Sequence, residues 1–351
     1  MKALTYRFIA VSVLFVLFTA QLFGADASKQ IANTFALKAN TEVSIDNKFG
    51  NIIINRWDKT TLELKVNITV NSKSESSAKE VLDDINIKIM DNISSGKLDI
   101  ETMTPDNKSE KSSFSINYEI SMPGNVPMKL VNSFGNIVMG SHTGPLDVTV
   151  KFGQLIAEDL ANANIAVEFS NAKCEIETIT SGTVDLRFGK MMIGVAGNVK
   201  ISSQHSDINI GNAQNIALDG RHGNIAFEKV KILKGTLEFA GLKIGKLEES
   251  IIIDSKHGNG LALTEVASSF REITLDSQFS PVDIALQAGT QAKLYFNLEF
   301  GNLKANGEGI NFSKVIKEQT TSQYEGYLGK STAAGLVKIN SKYGNIRFDV
   351  N

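Results

Sequence analysis

A four-residue phrase recurs along this chain: an aromatic residue or His, a very small residue, a polar residue and an aliphatic one. It reads Phe49-Gly50-Asn51-Ile52, Phe134-Gly135-Asn136-Ile137, His222-Gly223-Asn224-Ile225, Phe300-Gly301-Asn302-Leu303 and Tyr343-Gly344-Asn345-Ile346. Looser copies begin at Phe152, Phe169, Phe188, His205, Phe239, His257 and Phe279. Through the middle of the chain the spacing is about 17 to 22 residues, the period of stacked repeat architectures. Repetition of one unit leaves few residues over for a separate active site.

With the aromatic or His as position zero, the residue four earlier is apolar, from Ile45 and Leu130 to Phe296 and Ile339, with Gly235 the single exception. The residue five later is apolar in every copy, including Ile54, Cys174, Phe227, Ala262, Ala305 and Phe348. Alternation with period two predicts strands with one buried and one wet face. The Gly, Ser or Ala after each aromatic predicts a sharp corner, or a place where neighbouring copies approach closely. About 17 to 22 residues at about 3.3 Å each give a perimeter of about 55 to 70 Å. The expected fold is all-β, a single-chain β-solenoid of such coils, each hydrogen-bonded to the next.

The residue before the aromatic is expected to point outward and stack on its equivalents. In order it reads Lys151, Glu168, Arg187, Gln204, Arg221, Glu238, Lys256, Gln278, Glu299. No two like charges adjoin, as in-register stacking favours. The aromatic itself is expected at an inward ladder position, so no exposed aromatic platform for glycans or nucleic acid is indicated. A bulge is expected at Gly260. Between Phe300 and Tyr343 a longer loop is expected, with Tyr324 standing for a degenerate copy.

Residues 1–27 read as a secretory signal peptide: Lys2 and Arg7, the apolar run Phe8 to Phe18, and the ending Ala25-Asp26-Ala27. An uncleaved membrane anchor is the alternative. Residues 28–130 hold one copy, the alternating strand Leu62 to Val70, a helical stretch from Ser76 to Asp84 with Ala78, Val81 and Leu82 on one face, and strands at 97–102 and 114–122. This segment is expected to cap the repeats of residues 131–351. The last strand, Ile346 to Val350, closes the chain without an obvious cap. It is expected to be an open edge through which copies could associate.

Chemistry-bearing patterns are sparse. Cys174 is the only cysteine, so no internal disulfide forms, and its inward place suggests a small buried hydrophobe. His205, His222 and His257 stand in the aromatic position and are expected to stack as Phe would. A metal held by His205 and His222 is the alternative reading. His142 is expected in a turn. Asp207 and Asp283 fall at equivalent or near-equivalent places several copies apart, too far for a carboxylate pair. The Asn at the corner, in Asn51, Asn136, Asn171, Asn224, Asn259, Asn302 and Asn345, suits a turn and a self-satisfying ladder, or one that binds sugar hydroxyls. No catalytic residue, cofactor site or metal site is assigned. A net charge of −2 with mixed signs argues against nucleic acid as a partner.

The signal peptide, the opening Phe49-Gly50-Asn51-Ile52 followed by Arg56-Trp57-Asp58-Lys59, and the recurring Phe-Gly-Asn-Ile and His-Gly-Asn-Ile coils resemble the putative adhesin family. These are bacterial envelope solenoid domains, similar to the head domain of putative autotransporter adhesins and common in Bacteroidetes. The resemblance covers about residues 40 to 351 and supplies no binding residues. It implies an exported, non-enzymatic adhesin or binding scaffold in the periplasm, at the outer membrane surface or outside the cell, with a glycan or an envelope or surface protein as partner. The alternatives are a carbohydrate-active β-helix enzyme, a polysaccharide lyase or hydrolase, and a self-assembling structural envelope protein.

Overall fold

The computed structural model describes residues 25–38, 40–105, 112–170 and 172–351. Most of the segment expected to be a signal peptide and most of the charged loop after Pro105 therefore lie outside the described residues. The protein is mostly strand, with one short α-helix, and its strands join in one large mixed sheet. Among the described residues no helix is long and apolar enough to cross a membrane.

Successive copies pair in parallel along two lines. Before the corner, Glu42–Lys48 pairs with Met128–Ser133, and that strand with His142–Lys151. The line continues through Leu155–Glu168 and Lys173–Arg187 into Lys190–Lys256. After the corner, Ile52–Trp57 pairs with Ile137–Met139, which pairs with the start of Leu155–Glu168. Lys190–Lys256 stays hydrogen-bonded as one long strand through the corners at His205, His222 and Phe239. The inward positions form one apolar core, with Ile45, Ile165, Ile193, Leu275 and Phe348 fully or almost fully buried.

Two copies carry extra residues. In the His257 copy it is Leu261, not Gly260, that pairs with Leu242 and with Val282. Gly260 takes φ +129°, so the expected bulge is there. Leu261 and Leu263 are buried and Ala262, expected inside, is half-buried. The Phe169 copy has an irregularity that the pattern hid: Cys174 pairs with Met191, three residues past its own aromatic, although it lies five past Phe169. Both placements are inward, so alternation alone could not separate them.

Stacking order departs from sequence order at the C-terminal end. Gly335–Lys342 lies between Glu272–Gln278 and Ala292–Glu299, and Ile346–Val350 lies between Val282–Leu286 and Leu303–Asn306. The last copy is thus inserted beneath the Phe300 copy. Residues 310–328 are not a degenerate copy. Ile310–Lys317 and Thr321–Leu328 form an antiparallel pair, and the second packs along Ala292–Glu299, with Tyr324 opposite Phe296. The expectation of an open C-terminal edge at Ile346–Val350 is therefore wrong, and association through that strand loses its basis.

At the other end, Ser113–Pro123 pairs in parallel with Ile52–Trp57 and antiparallel with Thr61–Ser72, on which Ala25–Ala36 lies antiparallel. Asn86–Asn92 covers Lys97–Met103 in the same manner. The helix Glu75–Asp84 starts where the Ser74 side chain accepts a hydrogen bond from the Ser77 amide at 3.2 Å. It buries Ala78 and Leu82, with Val81 half-buried, and stops where Ile85 turns extended.

Candidate functional site: an outward aromatic ladder

Alternation breaks at the aromatic. Positions four and two residues before it are inward, as are positions one, three and five after it: around Phe49 the buried residues are Ile45, Asn47, Gly50, Ile52 and Ile54. A run of strand cannot change parity, so one residue must leave the extended region. That residue is the aromatic or His in every copy, from Phe49 to Tyr343, with φ between 49° and 63°. Left-handed backbone costs an ordinary residue roughly 1–2 kcal/mol, and here it turns the ring outward.

The inward placement expected for the aromatics is therefore incorrect. Phe134, Phe152, Phe169, Phe188, Phe239, Phe279, Phe300 and Tyr343 are 42–50% exposed. Their rings stack in one row: Phe49, Phe134, Phe152, Phe169, Phe188, His205, His222, Phe239, His257, Phe279, Tyr343, Phe300. Centroids are 4.5–5.1 Å apart and planes within 1–13° of parallel. Phe114 meets Phe49 edge-on at 5.3 Å, at the N-terminal end of the row. The rib is about 50 Å long at about 4.8 Å per strand and shows solvent the ring edges.

The backbone beneath the rib is crowded. A Cβ on Gly135 would lie 1.8 Å from the Gly50 carbonyl oxygen, and one on Gly223 2.0 Å from that of Ser206. From Gly153 to Gly344 the corner residue alternates along the stack as Gly153, Ser170, Gly189, Ser206, Gly223, Ala240, Gly258, Ser280, Gly344, and the row ends on Gly301. No two side chains are adjacent there. At the N-terminal end, buried Asn47 and Asn132 tie the corners together. Asn47 Nδ2 donates to Asn132 Oδ1 at 3.1 Å, and Asn132 Nδ2 to the Gly50 carbonyl at 3.0 Å. Thr102 joins Asn47 to the Tyr118 hydroxyl, and burial pushes the pKa of that hydroxyl up to about 12.

Polar ladders border the rib. On one flank Glu168 stands 3.3 Å from Lys151 and 3.6 Å from Arg187, the contacts that the alternating charges predict. The inserted copy continues the row, with Lys256 opposite Gln278, Gln278 opposite Lys342, and Lys342 3.0 Å from Glu299. On the other flank Asn51 Oδ1 accepts the Asn136 amide at 2.9 Å, Asn136 Oδ1 the Gln154 amide at 3.0 Å, and Asn345 Oδ1 the Asn302 amide at 3.0 Å. The corner Asn thus stitch one copy's side chain to the next copy's backbone. Asn171 lies outside the described residues.

His205 and His222 stack at 4.5 Å with planes 1° apart. A zinc ion holding both equivalent nitrogens would need them within about 4.2 Å, twice a Zn–N bond, so face-to-face stacking opposes a shared ion. Among the described residues no group of three or more His, Cys, Asp or Glu could hold a metal. His142 is buried at the start of His142–Lys151, not in a turn, and burial holds its imidazole below the usual range. Cys174 is buried, with the Leu155 amide 3.3 Å from its Sγ. Asp207 accepts the Asn224 amide at 3.1 Å, and Asp283 pairs with Arg347 at 3.2 Å.

A shallow groove of ≈ 280 Å³ holds Asp276, Glu299 and Lys342. Glu299 is paired with Lys342, and Asp276 accepts from Asn340 Nδ2. Two rungs and two residues separate Asp276 from Glu299, about 12 Å between their backbones from strand geometry. Glycosidase acid pairs stand about 5 to 9.5 Å apart.

No protein-family model matches the chain, and no curated protein does. Solved structures do. One is a putative adhesin from Parabacteroides merdae ATCC 43184, 11% identical, covering 93% of this chain and 97% of its own, with TM-score 0.26. A putative cell adhesion protein from Clostridium sporogenes ATCC 15579 is 12% identical over 92% of this chain and 100% of its own, with TM-score 0.21. A putative lipid binding protein from Parabacteroides distasonis ATCC 8503 is 9% identical over 93% and 97%, with TM-score 0.27. At TM-scores this low, neither a shared fold nor a shared role follows.

Outward rings change the stability expected of the ladder. Phe188, 46% exposed, touches Phe169 and His205, each with centroids at 4.9 Å. A stacked pair contributes about 0.5–1.5 kcal/mol, so with two pairs lost Phe188→Ala is expected to cost about 1–3 kcal/mol in urea unfolding, below the roughly 3–5 kcal/mol of a core aromatic. A loss near 4 kcal/mol would return the ring to the core.

Proposed function

We propose that the chain is an exported, non-enzymatic β-solenoid that serves as an adhesin or binding scaffold of the bacterial envelope, with its outward ladders as the contact surface. Residues 1–27 are its signal peptide, 28–130 its N-terminal cap and 131–351 its solenoid. It works in the periplasm, at the outer membrane surface or outside the cell. The observation that carries this reading is the continuous exposed aromatic rib. Residues in left-handed backbone with half-exposed rings are a costly arrangement for a chain that needs only a packed core. The wide separation of Asp276 and Glu299 supports a binding role over glycoside cleavage.

The test is a screen against a glycan array and against outer-membrane and host-matrix preparations, with turnover of any bound polysaccharide followed in parallel. Phe169→Ser/Phe188→Ser and Asn136→Ala/Asn345→Ala variants probe the rib and the corner ladder. Binding without cleavage, lost in one of the variants, is the expected result. Chain cleavage would replace the scaffold with an enzyme.

A further inference from the structure

We infer that the partner of the rib is a second copy of this chain, docked antiparallel about a two-fold axis passing between the rungs of His205 and His222. The inference rests on the reading that the rib is a contact surface and names what it contacts. Three observations lead to it.

The first is area. The eight exposed Phe and Tyr rings, at 42–50% exposure, present on the order of 700 Å² of apolar surface, taking roughly 200 Å² for a whole aromatic side chain. That exceeds the largest patch of a typical monomer, about 300–600 Å². Two such ribs together offer about 1,400 Å², within the range that stable protein interfaces bury.

The second is shape. Every ring lies within 13° of parallel to its neighbour, with centroids 4.5–5.1 Å apart, so the rib is one unbroken row along which a second, evenly spaced row can lie.

The third is charge. A two-fold axis across the rib sets each copy's charged flank against the same flank of the other, reversed. In stacking order that flank reads Lys48, Ser133, Lys151, Glu168, Arg187, Gln204, Arg221, Glu238, Lys256, Gln278, Lys342, Glu299. With the axis at its midpoint, Lys48 meets Glu299, Glu168 meets Lys256 and Arg187 meets Glu238, each twice by symmetry. Lys151 meets Gln278, Lys342 meets Ser133 and Arg221 meets Gln204. No like charges face.

A slip of one rung either way reverses this. One slip sets Lys48 against Lys342, Lys151 against Lys256, Glu168 against Glu238 and Arg187 against Arg221. The other sets Lys151 against Lys342 and Arg187 against Lys256. A parallel pairing brings Arg187 against Lys190 and gains only Glu168 with Lys173. The match depends on the inserted last copy, because in sequence order Lys48 would face Lys342. Complementary rim charges set register and orientation in this way.

The test is sedimentation velocity over a range of concentrations on the wild-type protein, Lys48→Glu, Glu299→Lys and a 1:1 mixture of the two variants. Both sites lie at the ends of the rib on the surface, and circular dichroism melts check that each variant folds. The wild type should dimerise. Each variant alone should dimerise at least about tenfold more weakly, because a like pair then faces at both ends of its rib. The mixture should recover the dimer. At one end the carboxylate introduced at position 48 faces the ammonium introduced at position 299, and at the other the native Lys48 of the second chain faces the native Glu299 of the first. A wild type that stays monomeric at about 100 μM, or a dimer indifferent to both variants, overturns the inference. A monomer that still binds glycan or matrix through the rib overturns it too, but leaves the scaffold reading standing with a foreign partner. A monomer that binds nothing removes both.

Discussion

Phe348→Ala is expected to destabilise the protein by about 3–5 kcal/mol, the range for emptying a buried aromatic site. Phe348 is fully buried and meets Phe296 edge-on at 5.3 Å. Its strand, Ile346–Val350, is paired on both sides, so the neighbours cannot collapse into the void without moving two rungs. An open terminal strand would tolerate the change. Urea unfolding followed by circular dichroism measures it, and a loss under about 1 kcal/mol would mean that the last copy is not inserted.

Gly135→Ala is expected to cost about 3 kcal/mol, the upper end of overpacking, although it adds one methyl group at a surface corner. The new Cβ would sit 1.8 Å from the Gly50 oxygen and 2.5 Å from its carbonyl carbon. Both obstacles are backbone, held by Asn132 and by the parallel strands on either side. Gly140→Ala is the control. A Cβ there meets only Glu158 Oε2, at 3.5 Å, an ordinary contact, so its melting temperature should hardly move. Equal shifts in the two variants would show that the corners are not packed this closely.

The repeat, its strands, the small corner residue and the alternating charge row were all legible, because each is a periodic demand on residue type. The outward rings were legible in principle. Ile45 and Ile54, both inward, are an odd number of residues apart, so one residue between them must leave the strand. Phe49, next to a glycine, reads as core because it is apolar. Alternation identifies a face only while the backbone stays extended. The two extra residues of the Phe169 copy stayed hidden because they preserve parity at Cys174.

The insertion of the last copy left no mark in composition. Glu299 and Lys342 suit either order beside Gln278, and the hairpin of residues 310–328 carries no copy of the recurring phrase to mark its place. The strand pairings decide it, Gln278 with Lys342 among them. The rib's self-complementary charges follow from that order, and a linear reading of the chain could not find them.

The rib and its charged flank both depend on copies stacking in register to build one outward row, with the Tyr343 copy between those of Phe279 and Phe300. Disulfide trapping reads that order off the folded protein. In a Cys174→Ala background, Gln278→Cys/Lys342→Cys and Lys342→Cys/Glu299→Cys place thiols on adjacent rungs, about 4.8 Å apart at the backbone, within disulfide reach. Gln278→Cys/Glu299→Cys places them two rungs apart, beyond it. Rapid intrachain cross-linking is expected in the first two pairs and none in the third, whereas cross-linking of the third pair in preference to the others would contradict the inserted order.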